Sequence, residues 1–316
     1  MVATLALAGL GLVILLLAGD ILVKAAVNLG LRLGVPPLIV SLTIVSFGTS
    51  APELLIAIQS VLDGVPGLAL GNVVGSNIAN IFLVLGVPAL IASLTSETDT
   101  RWNYALMLGG SFLFIGLAFT GPMTWWHGLI LLSALALVLI HAGWCAHTHR
   151  QDTNDTLPDG DTPEGADPKM TGPWIAFYLI LGLIGLPVGA DMLVHHSVIV
   201  ARDFGVSETV IGLTLVAVGT SLPELATTVM AVMRRHSDVA LGNVIGSNTF
   251  NLLAIIGIAT LVGPIPVDAS ILAFDLWVML GASILLIPFV FFGRRMGRRV
   301  GVVFCGLYIS YLWMIF

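Results

Sequence analysis

Glu53 and Glu224 are carboxylates in the middle of apolar stretches, and each closes the same polar phrase. Phe47-Gly48-Thr49-Ser50-Ala51-Pro52-Glu53 returns as Val218-Gly219-Thr220-Ser221-Leu222-Pro223-Glu224. Gly71-Asn72-Val73-Val74-Gly75-Ser76-Asn77-Ile78-Ala79-Asn80 returns as Gly242-Asn243-Val244-Ile245-Gly246-Ser247-Asn248-Thr249-Phe250-Asn251. A carboxylate at membrane depth costs several kcal/mol, so it normally faces a cavity or meets a cation. Neither motif holds a Lys or Arg that could be the partner. Two such groups brought together leave about −2 of charge in one place, which a bound cation offsets most cheaply.

The neighbouring residues fit a cation. Pro52 and Pro223 have no N–H, and their rings clash with the carbonyls of Gly48 and Gly219, four residues earlier. A helix interrupted there can turn carbonyls toward an ion, and the Thr and Ser hydroxyls add neutral oxygens. Gly71, Gly75, Gly242 and Gly246 allow close backbone approach, while Asn72, Asn77, Asn80 and their counterparts supply amide oxygens. Two carboxylates among neutral oxygens form a hard-cation set, suited to Ca²⁺ or Na⁺. Zn²⁺ or Cu²⁺ would want His or Cys, which the motifs lack. Small and hydroxyl residues also serve plain helix packing, but two copies, each centred on an acid, favour an ion site.

The elements that carry these motifs are duplicated as well. Both blocks keep one offset of 171 residues, which also takes Asp20 onto Asp191, Thr43 onto Thr214 and Gly86 onto Gly257. Of the 316 residues, 57% are hydrophobic and 9% charged, with a mean hydropathy of +1.03. Soluble domains carry about a quarter charged residues, so a polytopic all-α membrane protein in a lipid bilayer is expected. The net charge of −6 is no guide to partners, because six of the acids fall in one loop. No basic patch interleaved with aromatics suggests nucleic acid. No feature assigns an oligomeric state beyond a monomer or weak oligomer.

At about 20 apolar residues per crossing, ten transmembrane helices are expected near 2–27, 36–62, 68–93, 102–119, 122–145, 173–200, 207–233, 238–263, 269–292 and 299–316. Five per repeat is an odd number, so the second repeat must enter the membrane upside down, giving two inverted five-helix repeats with broken helices at the motifs. The expected units are a first repeat over 1–146, an acidic linker over 147–171 and a second repeat over 172–316. Ten basic residues (Arg32, Arg101, Arg150, Lys169, Arg234, Arg235, Arg294, Arg295, Arg298 and Arg299) then fall on one side. Only Arg202 falls on the other, and Lys24 lies within the first span. This bias puts the linker in the cytoplasm of a cell (inner or plasma) membrane, with both termini outside. The apolar run Val2–Gly19 lacks the basic start of a cleavable signal and shares the repeat through Asp20, so it is expected to stay.

Other polar residues read more simply. The linker holds Asp152, Asp155, Asp159, Asp161, Glu164 and Asp167, and its composition suits a solvated tether. It fails the EF-hand template, since counting from Asp155 puts Ala166 where a bidentate Glu is required. His141, Cys145, His147 and His149 make a weak metal clip, and Cys145 and Cys305 match no metal spacing. Asp20 with Lys24, and Asp191 with His195, are spaced for local i,i+4 pairs. His127, His196, Trp125, Trp126 and Trp174 read as interfacial anchors.

The doubled G-T-S-x-P-E and G-N-x-x-G-S-N motifs resemble the α-repeats of the Na⁺/Ca²⁺ exchanger family, within the cation/Ca²⁺ antiporter superfamily. The likeness is to its compact prokaryotic members and spans essentially the whole chain. It implies ten helices with ions held between the second, third, seventh and eighth. On this resemblance Glu53 and Glu224 would be ligands shared by Ca²⁺ and Na⁺, and Thr49 and Thr220 would offer carbonyls to Ca²⁺. Ser50, Ser221, Ser76 and Ser247 would give oxygens to Na⁺, Ser46 and Ala217 would give carbonyls, and Asn80 and Asn251 would stand at the centre. Some relatives carry Asp where this chain has Asn251, which removes a negative charge and a protonation site.

The expected activity is secondary active Na⁺/Ca²⁺ antiport by alternating access, with the two ions competing for one site and needing no cofactor. An H⁺/Ca²⁺ antiporter is the nearest alternative, although proton exchange needs no Ser/Thr oxygens. A cation channel would more often use rings formed by oligomers. An enzyme is not expected, as neither HExxH nor GxSxG occurs.

Overall fold

The computed structural model describes residues 1–96, 100–153, 167, 169–205 and 217–315. Among these residues the regular structure is all helical, and the extended pairings are two isolated bridges. In chain order the helices are α1 (Val2–Leu33), α2 (Pro37–Thr49), α3 (Ala51–Leu62), α4 (Pro66–Ile91) and α5 (Thr100–Ala118). They continue as α6 (Trp125–Thr153), α7 (Gly172–Asp203), α8 (Leu222–Met233), α9 (Ser237–Val262), α10 (Ile271–Val290) and α11 (Arg298–Ile315). Among the described residues seven helices are long and apolar enough to cross a membrane, or eight if α2 and α3 count as one span bent by 41°. Helix α5 falls outside that set because Arg101, Asn103, Tyr104 and Ser111 lower its hydropathy; α8 is short, and residues 206–216 before it lie outside the described part.

Local structure repeats along with the sequence. Ser50 (φ −86°, ψ 4°) and Ser221 (φ −90°, ψ 3°) step out of helical angles at equivalent points, each just before a segment with proline in its first turn. Asn80–Val84 and Asn251–Ile255 are both π-helical turns, a widening often found at functional sites. The two bridges also follow the offset approximately: Leu94 pairs with Met296, and Met123 with Ile265.

The packing is inverted relative to a soluble protein. Large apolar side chains such as Leu10, Val13, Leu17, Phe47 and Leu55 point outward, as lipid-facing positions do. Ser46, Thr49, Glu53, Asn80, Glu224, Asn243 and Asn251 are buried. Helix α1 lies along α7 through small residues: a side chain at Gly189 would meet the Leu15 backbone nitrogen, and one at Gly182 the Ala18 carbonyl. Helix α2 approaches α9 in the same way, where Gly242 and Gly246 face the Leu38 and Leu42 carbonyls. Ser41 Oγ seals that contact by donating to the Val239 carbonyl at 2.7 Å.

Several expectations are corrected. The linker does not begin as a loop at 147, because α6 carries on to Thr153; residues 154–166, with four of the linker acids, lie outside the described part. Asp20 does not pair with Lys24 but with Arg234, through Nε at 2.5 Å and Nη2 at 2.8 Å. The planar guanidinium offers two parallel donors, which an i+4 ammonium cannot. The counterpart of Arg234 at the repeat offset is Asp63, so Asp191 has no equivalent cation, and no ion pair joins it to His195. His127 is a buried cap rather than an interfacial anchor: its Nδ1 accepts from the Thr124 N–H at 2.9 Å and its Nε2 meets Thr120 Oγ1 at 2.8 Å. Trp125, Trp126 and Trp174 are exposed. His141 contacts Cys145 at 3.3 Å, yet no cluster of three His, Cys, Asp or Glu able to hold a metal occurs among the described residues.

Candidate ion-binding site

Each carboxylate opens a helix. Glu53 lies in the first turn of α3 and Glu224 in the first turn of α8, just past the Ser-x-Pro breaks. Both helix starts present backbone N–H groups with no intrahelical acceptor. Both side chains are about 1% exposed, so neither charge is solvated by bulk water.

Contacts between the halves tie the two breaks together. Ser50 Oγ donates to Glu224 Oε1 at 3.2 Å. Thr49 Oγ1 lies 3.3 Å from the Ser46 carbonyl and 3.5 Å from Asn243 Oδ1. Asn243 Nδ2 in turn is 3.2 Å from Thr228 Oγ1 and 3.4 Å from the Glu224 carbonyl. Ser46 Oγ is 2.7 Å from the Ser41 carbonyl and 3.0 Å from that of Asn243, and its single hydrogen serves one of them at a time. A second set joins α4 to α9: Asn80 Nδ2 donates to Asn248 Oδ1 at 3.0 Å, and Asn248 Nδ2 reaches the Asn77 carbonyl at 3.4 Å.

Several buried polar atoms have no hydrogen-bond partner, and nearly all belong to the repeated motifs. Among the described residues they are Glu53 Oε2, Glu224 Oε2, Ser221 Oγ, Ser247 Oγ, Asn72 Nδ2, Asn77 Oδ1, Asn80 Oδ1 and both amide atoms of Asn251, with Thr100 Oγ1 the one that lies elsewhere. Buried polar groups are nearly always satisfied, and each orphan costs about 1–3 kcal/mol. So many in one pair of motifs, most of them oxygens and two of them carboxylate, is what a hard cation would satisfy.

The remaining candidates sit around this cluster. Ser76 and Thr220 share the wall of a cavity of about 170 Å³. Ala217 begins a short helical turn, Ala217–Gly219, ahead of the second break, and its side chain lies outside the described part. The Ser46 carbonyl accepts from the Ser50 N–H at 3.0 Å. Thr228, in the middle of α8, is a contributor that the motifs did not single out; its signal was spacing alone, one helical turn beyond Glu224.

The sodium/calcium exchanger protein family matches residues 3–144 and 174–316. The chain belongs to this family. It is 35% identical to the putative antiporter CaxA of Alkalimonas amylolytica, over 97% of this chain and 96% of the relative. It is also 35% identical to the sodium/calcium exchanger MaX1 of Methanosarcina acetivorans, over 97% of each. Among solved structures, the sodium-calcium exchanger NCX_Mj soaked with zero Na⁺ and Ca²⁺ superposes with a TM-score of 0.83 at 29% identity, covering 100% of this chain and 99% of that one. The protein therefore has the fold of a compact prokaryotic exchanger and is an integral membrane protein of a cation/Ca²⁺ antiporter family. This family consists of transporters rather than enzymes.

Proposed function

We propose that this exchanger-family protein moves Ca²⁺ against Na⁺ by alternating access at one central site. The carrying observation is the set of buried, unpartnered atoms around Glu53, Glu224, Ser221, Ser247, Asn80 and Asn251. Thr49, Ser50, Ser76, Thr220, Ser46 and Ala217 complete the proposed ligand set, the last two through carbonyls. Ca²⁺ and Na⁺ are cargo here, and no resident cofactor is invoked.

Coupling follows from electrostatics. Two carboxylates in a water-poor interior tolerate neither an empty site nor one holding both Ca²⁺ and a full set of Na⁺. The site then exchanges one load for the other, and no separate linkage device is needed. The halves are read as inverted five-helix repeats, 1–146 and 172–316, with ten crossings and the 147–171 segment between them. The matching breaks at Ser50 and Ser221 support this reading. So do the bridges Leu94–Met296 and Met123–Ile265, each of which joins two loops that ten crossings put on the same side. The basic-residue bias then places the linker in the cytoplasm and the termini outside. Helices α1 and α7, packed on each other through glycines, are the pair proposed to shift against the ligand-bearing helices.

Proteoliposomes loaded with Na⁺ and diluted into choline medium should accumulate radiolabelled Ca²⁺. Choline on both sides with an imposed pH gradient should give none. Uptake driven by the pH gradient without Na⁺ would replace Na⁺ by H⁺ as the coupling ion.

A further inference from the structure

A further carboxylate within the membrane-spanning helices, Asp275, lies outside the repeated motifs. Asp275 ends the π-helical turn Ile271–Asp275 at the start of α10, and its counterpart at the repeat offset is Tyr104. It therefore owes nothing to the duplication. Its carboxylate accepts a hydrogen bond from Tyr311 on α11 at 3.0 Å. The Tyr311 ring stacks on Phe274, with centroids 6.2 Å apart and planes 18° apart, which fixes the phenol. Among the described residues no Lys, Arg or His pairs with Asp275.

Asp275 has a cavity in front of it. It lines a space of about 200 Å³ together with Gly71, Val74 and Tyr311. A neighbouring cavity of about 170 Å³ shares Gly71 and Tyr311 and reaches Asn72, Ser76 and Thr220. Gly71 and Asn72 begin the second repeated motif, so the two spaces run from a lone carboxylate to the wall of the ion site. Each has room for several waters.

We propose that Asp275 is a cation-recruiting residue at one mouth of the ion pathway, with Tyr311 positioning its carboxylate. One carboxylate and one hydroxyl are too few oxygens to strip a Ca²⁺, which takes six to eight. The cation held there keeps much of its water and is passed on to Asn72, Ser76 and Thr220. The negative charge raises the local concentration of Ca²⁺ and Na⁺ in the cavity, and salt screens that effect. This inference rests on the antiport reading.

The test is Na⁺-driven Ca²⁺ uptake by the full-length protein in vesicles, with KM and maximal rate measured at low and high choline chloride. Asn at 275 can still accept from Tyr311, so Asp275→Asn removes the charge and keeps the contact. The expected result is a KM for Ca²⁺ raised about threefold to tenfold at low salt, with little remaining salt dependence and a maximal rate near wild type. Asp275→Glu should recover the salt dependence, and Tyr311→Phe should raise KM less and keep it. If Asp275→Asn does not reconstitute, Asp275→Ser is read in the same way. An unmoved KM, or a lost rate at unchanged KM and salt dependence, would overturn the proposal. Wild-type vesicles without Na⁺-driven uptake would instead overturn the antiport reading.

Discussion

The Ser50 hydroxyl donates to the Glu224 carboxylate across 174 residues of chain, at 3.2 Å. The helix break of one half thus completes the acid of the other. Ser50→Ala removes an oxygen from the proposed Na⁺ set and a donor from Glu224. A hydrogen bond to a charged group is worth about 1.5–3 kcal/mol, part of which water can replace. The KM for Na⁺ should rise about fivefold to tenfold, equivalent to about 1–1.4 kcal/mol, and that for Ca²⁺ should rise less. Competition curves of Na⁺ against Ca²⁺ uptake measure both; equal shifts would remove Ser50 from the Na⁺ set.

Asn251 is buried with both amide atoms unpartnered, while its repeat mate Asn80 donates to Asn248. The two equivalent Asn positions of the proposed site are therefore in different hydrogen-bond settings. Asn251→Asp would add a third acid that takes a proton or an additional cation. Ca²⁺ uptake by this variant should become more sensitive to acid than that of the wild type, as a pH series in vesicles would reveal. Superimposable pH profiles would mean that position 251 does not face the transported ions.

The Asp20–Arg234 pair ties α1 to the residue following α8, bridging the helices proposed to move and those proposed to hold ions. Both side chains are partly exposed, so the coupling should be modest, about 0.5–1 kcal/mol. Asp20→Asn and Arg234→Gln should each lower the apparent melting temperature in detergent. The double variant should lose less than the sum of the two. Strict additivity would mean that the contact contributes nothing measurable.

The helix breaks and the buried acids beside them were more legible in the sequence than the way the helices are joined. Pro52 and Pro223, with glycine four residues before each, pointed to the breaks at Ser50 and Ser221 because proline lacks the helical N–H and crowds the carbonyl four residues earlier; without that glycine, Pro187 lies inside α7. The two Glu stood out because carboxylates are costly in apolar spans. The partner of Asp20 was hidden: a nearby Lys24 satisfied the local spacing rule, and nothing in one sequence encodes a contact 214 residues away. The π-helical turns at Asn80 and Asn251 were equally silent, since they depend on packing between α4 and α9. The end of α6 was missed because its last residues, His147 to Thr153, are polar but remain helical. Asp275 escaped notice because the duplication drew attention to paired acids, and it has no pair.

The central claim is that Glu53 and Glu224 form one site where Na⁺ and Ca²⁺ displace each other. The most direct measurement is Na⁺-gradient-driven uptake of radiolabelled Ca²⁺ in proteoliposomes containing wild type, Glu53→Gln or Glu224→Gln at matched protein content. Gln keeps the volume and one acceptor oxygen of Glu but removes its charge. Each single variant should lose the gradient-driven flux, by about a hundredfold or more if an uncompensated ligand costs about 3 kcal/mol. Flux at the wild-type level in either variant would contradict the account.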